Sequence, residues 1–264
     1  MKNLSTNSQA MLLSLLGFSL FAIGDVFIKL LADDGFKAVE IAFFLNFFYL
    51  PFLLLLSPVI GGIKATLRTE KLWLHVLRAL LGVGTFMIVV NGFHKLGLSL
   101  SYTLIFAAPF FAAIISAIFL KQKINLHRWA SIIVGFTGVL IVLRPFGEAM
   151  EPAAIGLLLA ALFIATNHIL AKKIGGDEPL MAFSLFHCIV AVQVFGVMCF
   201  WDGEMRIPNH NEWLIFLAIS IFHTGGMLTT SKAFATGDTV IVAPFHYVQL
   251  LWGTLFGILI FANV

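Results

Sequence analysis

The amino-acid sequence reads as an all-α polytopic membrane bundle of two inverted five-helix repeats, with nine spans present in the chain. Three observations lead there. Of 264 residues, 60% are hydrophobic and only 11% charged, less than half of the roughly 25% that a soluble domain needs to cover its surface. Mean hydropathy is +1.02 with 28 Phe, so the apolar side chains face lipid rather than a single core. The apolar stretches also recur at about the 20-residue length with which a helix crosses hydrocarbon, the form that keeps backbone groups paired there.

Taken in order, the spans fall at about 11–31, 39–60, 73–92, 98–120, 129–144, 154–171, 180–200, 213–235 and 239–261. The first is too long for a signal-peptide core, contains Asp25 and lacks a small-residue cleavage site. Loops are marked by Gly61-Gly62-Ile63-Lys64, Lys121-Gln122-Lys123, Arg144-Pro145-Phe146-Gly147, Gly175-Gly176-Asp177-Glu178-Pro179 and Ile207-Pro208-Asn209, all rich in helix breakers and charge. Trp73, Trp129, Trp201 and Trp213 stand at span ends, as an interfacial aromatic belt requires. Cys188 and Cys199 share one apolar stretch, about 16 Å apart on a helix, too far for a disulfide; they read as small buried apolar residues.

Lys and Arg divide unevenly between the two faces. Lys2, Lys64, Arg68, Lys71, Lys121, Lys123, Arg128, Lys172, Lys173 and Lys232 fall on the N-terminal side, against Lys37, Lys95, Arg144 and Arg206 on the other. The basic side is the cytoplasmic one, which places the N-terminus in the cytoplasm and the chain in the cytoplasmic (inner) membrane. A repeat is hidden in the spacing. Trp73 and Trp213, and likewise Gly97 and Gly237, are each 140 residues apart, and a shift of 141 lays Ala112 and Ser116 on Gly253 and Gly257. Both of the latter pairs are small-xxx-small motifs, which let helix backbones approach closely in lipid. Residues 1–145 form the first repeat and 146–264 the second. Five spans is an odd number, so the second copy inserts upside down.

Several segments resemble the EamA-type branch of the drug/metabolite transporter superfamily, in order and over nearly the whole length. They are Gly24-Asp25-Val26-Phe27-Ile28-Lys29, Val39-Glu40-Ile41-Ala42-Phe43-Phe44, His75-Val76-Leu77-Arg78-Ala79-Leu80, Gly135-Phe136-Thr137-Gly138-Val139-Leu140-Ile141-Val142 and, most distinctive, Lys232-Ala233-Phe234-Ala235 through Ala243-Pro244-Phe245-His246-Tyr247. Within the family the pattern is most similar to S-adenosylmethionine uptake carriers, and more loosely to riboflavin and amino-acid carriers. The resemblance implies ten helices, a cavity between two inverted halves lined by spans one, three, four, six, eight and nine, and alternating access. Three departures stand out: Asn46 where the family commonly has arginine, Ala262-Asn263 where Gly-Glu is expected, and an expected tenth span that does not follow before Val264.

Intramembrane charges are costly and default to functional candidates. Asp25 and Lys29 are one turn apart in the favourable order for an ion pair, fitting either a gate or a structural pair. Arg78, five residues into span three, either snorkels to the interface or holds an anionic substrate group. Of the neutral candidates, His223 in span eight and His246, Tyr247 and Gln249 in span nine sit deep; a histidine there can bind substrate or take a coupling proton, or simply bond helix to helix. Asn167 and His168 lie toward the cytoplasmic end of span six, Asn46 and Asn91 toward the outer face, and Gln193 in span seven. Trp252 is a candidate for stacking on an aromatic substrate or for packing. Pro109 and Pro244 fall within spans four and nine, where each removes a backbone bond and serves as a hinge candidate.

The reading that unites these features is a secondary transporter of a small organic metabolite with a planar or zwitterionic part, S-adenosylmethionine being the first candidate. Its expected partners are the lipid bilayer, the solute and a coupling proton, in a monomer or homodimer, with no cofactor, metal or nucleic acid. Rival classes are a non-transporting scaffold or receptor, an inactive shortened carrier and an intramembrane enzyme. The last lacks G-x-S-x-G and H-E-x-x-H, which a serine or zinc protease would carry, and Asp33-Asp34 lies in a short loop rather than a span.

Overall fold

A computed structural model of the chain describes residues 5–121, 151–201 and 205–261, with isolated positions between 126 and 141. Among these, every regular element is helical: α1 (Thr6–Asp33), α2 (Ala38–Leu56), α3 (Ile63–Leu67), α4 (Leu72–Ile105), α5 (Ala108–Phe119), α6 (Pro152–Ile174), α7 (Leu180–Trp201), α8 (His210–Thr236), α9 (Thr239–Val242), a 3₁₀ stretch over Ala243–Tyr247, and α10 (Val248–Phe261). Seven described segments are long and apolar enough to cross a membrane, and Thr103–Phe119 is a shorter apolar helix. Large side chains such as Leu55 and Phe200 are 75% and 73% exposed on the outside of the bundle, where in a membrane they meet acyl chains. This is a helical membrane bundle.

The helix starts follow local chemistry. Ser5 accepts a bond from Ser8 N at the head of α1, and Asn209 Oδ1 accepts from Asn211 N and Glu212 N at the head of α8, satisfying orphan donors. Glu40 and Glu212, each at the third helical position, reach back to the backbone N–H of Lys37 and Asn209, a reciprocal capping arrangement at α8.

Two expectations need correction. The loop anticipated near Gly97 is absent, because α4 runs unbroken from Leu72 to Ile105. Glycine alone weakens a helix without ending it, and no proline lies in 90–105. The break comes later, at Phe106-Ala107, and Pro109 opens α5 within its first two positions, where a missing N–H costs nothing. Pro244 likewise starts the 3₁₀ stretch that divides span nine, so both prolines begin segments rather than kink them. The two small-xxx-small pairs differ in their surroundings: among the described residues nothing lies within 4 Å of where a Gly253 Cβ would sit. Ala112 and Ser116 are fully buried, whereas α10, which carries Gly253 and Gly257, packs chiefly against α1 and the 3₁₀ stretch, at the edge of the described bundle. Most of span five and of its Gly135–Val142 motif lies outside the described residues, as do most of Lys121-Gln122-Lys123 and all of Arg144-Pro145-Phe146-Gly147 and Ala262-Asn263.

The packing has a clear plan. α1 lies along α8 and α4 along α6; α2 meets α7; α4 touches α7 as α2 touches α8; α5 lies on α6 as α10 lies on α1. Exchanging first-half helices for their second-half counterparts maps the α2–α7 pairing onto itself and each of the others onto another in the set. Direction alternates as well. Lys71 bonds Ile174 O and Asp238 N bonds Asn7 at one end, while Arg206 bonds Asp34 and Glu40 at the other. Trp73 therefore stands at the opposite end from Trp213.

The α1–α8 seam is built on glycine. A Cβ on Gly24 would collide with the His223 ring, one on Gly226 would meet Phe21 at 2.9 Å, and one on Gly17 would meet Thr230 at 2.5 Å. Gly24→Ala is expected to destabilise the protein by about 1–3 kcal/mol through overpacking. Gly253→Ala should stabilise it by up to about 1 kcal/mol through helix propensity. Opposite shifts in melting temperature in detergent micelles check the pair.

Candidate functional site

The close α1–α8 seam leaves a cavity of about 260 Å³ beside it, reached by all six long helices α1, α2, α4, α6, α7 and α8. It is a little below the ~300–1,000 Å³ usual for small-molecule sites. Its walls are aromatic, from Phe18, Phe21, Phe86, Phe195 and Phe234, and its polar groups are Asn46, Tyr49, Arg78, Asn167, His168, His187, His223, Thr230 and Ser231. Among the described residues that line it there is no Asp or Glu.

Arg78 is 7% exposed, so its side chain turns inward rather than snorkelling to the interface. Nε donates to Asn167 Oδ1 at 3.1 Å and more weakly to Asn167 O at 3.4 Å; Asn167 Nδ2 returns a bond to Arg78 O at 2.8 Å. The guanidinium carbon stands 5.1 Å over the Phe183 ring, a cation–π contact. These contacts aim the group, and among the described residues no carboxylate pairs with its charge. On the opposite helix Asn46 spends Nδ2 on Ala42 O at 2.8 Å, and its buried Oδ1 has no protein donor among the described residues.

His168 stacks on Phe234 at 3.7 Å between ring centroids. His246 stacks on Phe18 at 4.6 Å and meets Phe106 edge-on. Both imidazoles are thus built into aromatic walls. His223 Nε2 lies 3.5 Å from Asp25 Oδ1, and Gln249 Nε2 donates to Asp25 Oδ2 at 3.2 Å. Asp25 therefore joins the first half to both α8 and α10. Lys29 forms an ion pair with Asp33, one turn further on, at 3.0 Å.

Of the sequence candidates, Asn46, Arg78, Asn167, His168 and His223 line the cavity, while Asp25, Lys29, Asn91, Gln193, His246, Tyr247, Gln249 and Trp252 do not. Tyr247 Oη donates to Phe106 O at 3.1 Å, and Trp252 Nε1 donates to Ser19 Oγ at 2.8 Å while stacking on Phe256. Sequence reasoning missed Tyr49 and His187. Both lie in spans that the family resemblance leaves out of the cavity, and room for the His187 imidazole is made by the missing Cβ of Gly82.

A sequence model described as the EamA-like transporter family matches residues 8–144 and 151–263. The chain belongs to that family. It is a multi-pass membrane transporter of small molecules and not an enzyme; the bilayer and a small-molecule solute are its partners. It is 29% identical over 231 residues to an S-adenosylmethionine uptake transporter of Rickettsia bellii, covering 84% of this chain and 75% of that one. It is 28% identical over 242 residues to the protein of the same name from Rickettsia prowazekii, covering 91% and 80%. A riboflavin transporter of Vibrio cholerae is 26% identical over 205 residues, covering 77% and 68%. A solved crystal structure superposes with a TM-score of 0.73 over 96% of this chain and 88% of its own, at 15% identity, which speaks for the fold alone.

Asn167→Ala removes the oxygen that orients the buried guanidinium and the donor to Arg78 O. A bond of this charged kind is worth about 1.5–3 kcal/mol, and thermal or denaturant unfolding in detergent should show a loss of that size. Asn91→Ala, at an exposed position of α4, is the neutral control.

Proposed function

We propose that the chain is a secondary transporter that moves a carboxylate-bearing, aromatic metabolite by alternating access between two inverted halves, 1–145 and 146–264. S-adenosylmethionine is the first candidate. One observation carries the substrate class: Arg78 is a buried cation beside an aromatic cavity with no carboxylate among its described lining residues. An uncompensated charge in such surroundings is costly, and a substrate carboxylate offsets that cost by binding where the charge already stands. The aromatic walls suit an adenine ring and, through their negative faces, a sulfonium cation. Asn46 Oδ1 is an acceptor for the substrate ammonium group. The names of the Rickettsia relatives support the same choice. Exchange symmetry in the packing and the two family matches support the division into inverted repeats, and the uneven Lys and Arg distribution supports a cytoplasmic N-terminus in the inner membrane.

Ligand-linked stabilisation tests the substrate. At a concentration of 100 Kd the bound form gains about 2.7 kcal/mol, so S-adenosylmethionine should raise the melting temperature of the purified protein and be taken up by liposomes containing it. Arg78→Gln is expected to raise KM for uptake about 10- to 100-fold, the worth of a charge-assisted bond. If riboflavin stabilises the protein and S-adenosylmethionine does not, with Arg78→Gln leaving riboflavin uptake unchanged, the carboxylate reading fails. The Vibrio cholerae relative's name then points to the substrate.

We further propose a proton as the coupling ion, bound at the Asp25–His223 pair. Histidine titrates near physiological pH, and this pair spans both halves beside the cavity. The groups facing it are Gln249 on α10, Tyr49 on α2 and His246 in the 3₁₀ stretch, with Lys29 one turn further along α1. Asp25→Asn should abolish accumulation driven by an imposed pH gradient while leaving solute counterflow within about threefold of the parent, since neutralising one member of a coupled pair removes the linkage and not the binding site. Accumulation that ignores the gradient in the parent protein rules the proton out.

A further inference from the structure

Each end of the bundle is fastened by a cation that reaches from one half of the chain to the other. At one end Lys71, the residue before α4, donates Nζ to the carbonyl of Ile174, the last residue of α6, at 2.6 Å. At the other end Arg206, in the segment before α8, donates to the carbonyl of Asp34, the C-cap of α1, and to its carboxylate at 3.1 Å. Asp34 and Ile174 are 140 residues apart, the same separation as Trp73 and Trp213. The two fastenings are thus counterparts: each half lends a cation from the segment ahead of its α4 or α8 to the C-terminus of the other half's first long helix. That end of a helix carries unpaired carbonyls and partial negative charge, and it attracts a cation.

The surroundings match as well. The Arg206 guanidinium lies 4.2 Å over the Phe36 ring, and Lys173 Nζ lies 5.8 Å from the Trp73 ring. A carboxylate joins each side, Glu212 on Arg206 and Glu178 on His75 at 3.5 Å. Helix counterparts alone would not require cross-half contacts at both ends. A carrier that rocks about a central cavity does require them, because each end must close with comparable strength for both end states to be populated.

We propose that these two clasps are the gates of the transport cycle: release of Arg206 from Asp34 opens one face, and release of Lys71 from Ile174 opens the other. Both are formed here, with the cavity between them. The proposal rests on the alternating-access reading above and deepens it by naming the gate residues.

Side-specific thiol labelling tests it without a transported solute, so a wrong substrate or an immobile one does not affect the outcome. The parent carries Cys188→Ala and Cys199→Ala, with Val83→Cys in the cavity wall as reporter, and a membrane-impermeant maleimide is applied to either face of oriented vesicles. Arg206→Gln should raise labelling from the Arg206 face by roughly fivefold, the low end of what one coupling contact supports, and lower it from the Lys71 face. Lys71→Gln should do the reverse. Labelling at the parent level from both faces in both variants overturns the proposal. If Arg206→Gln gives no monodisperse protein in detergent, Arg206→Lys decides instead. It keeps the charge and loses the fork, so it must shift labelling in the same direction by a smaller factor, and parent-level labelling overturns the proposal.

Discussion

Hydrocarbon offers a backbone no hydrogen-bond partner, and the rest of this structure follows from how the chain meets that constraint. Long helices meet it by pairing internally. The two places where described helices break meet it with side chains. At Phe106-Ala107 the freed Phe106 carbonyl accepts Tyr247 Oη at 3.1 Å. At the start of the 3₁₀ stretch the Val242 carbonyl accepts Ser14 Oγ at 3.3 Å. Both donors come from another element, so each break is held only while α1, α5 and the 3₁₀ stretch stay together. Tyr247 thereby has a structural task that its deep position alone does not reveal.

The same constraint sorts the polar residues. A hydroxyl or imidazole facing lipid finds no partner, so these groups turn to neighbouring helices, and the interior becomes polar while the outside stays greasy. Glycine then sets how near the helices come. Gly17, Gly24 and Gly226 bring α1 and α8 into contact along one line, which places His223 beside Asp25 and leaves the space on the other side as a cavity. Arg78 costs several kcal/mol as an uncompensated buried ion, and its contacts with Asn167 and Phe183 recover part of that cost without supplying a counter-charge.

The fold was largely legible in the sequence because span length, breaker clusters and the distribution of Lys and Arg are one-dimensional signals. The 140-residue spacing of Trp73 and Trp213 is such a signal, and the two lie at opposite ends. What spacing does not carry is rotation about a helix axis. Arg78, Asn167 and His168 could be named because charge or adjacent polar pairs are rare in spans, yet Tyr49 and His187 line the same cavity from helices that the resemblance leaves out of it. Conversely, His246, Tyr247, Gln249 and Trp252 sit deep in a span and point to other helices. Gly97 illustrates a third limit: a lone breaker is ambiguous, and α4 passes through it to end at a turn with no strong sequence mark.

Placement of charge also bears on how the two halves divide the work. Arg78 lies near the start of α4 and Asp25 near the end of α1, helices that both run from the Lys71 end toward the Arg206 end. The fixed cation therefore sits toward one face and the carboxylate, beside His223 at 3.5 Å, toward the other. On the proposed reading, a zwitterion with its carboxylate at Arg78 would turn its ammonium group toward Asn46, inside walls that both halves supply. Solute bound in that cavity would touch both halves at once. Its differential contacts with two arrangements of the halves are what allow it to shift their populations, whereas a solute held by one half alone would ride along without favouring either arrangement.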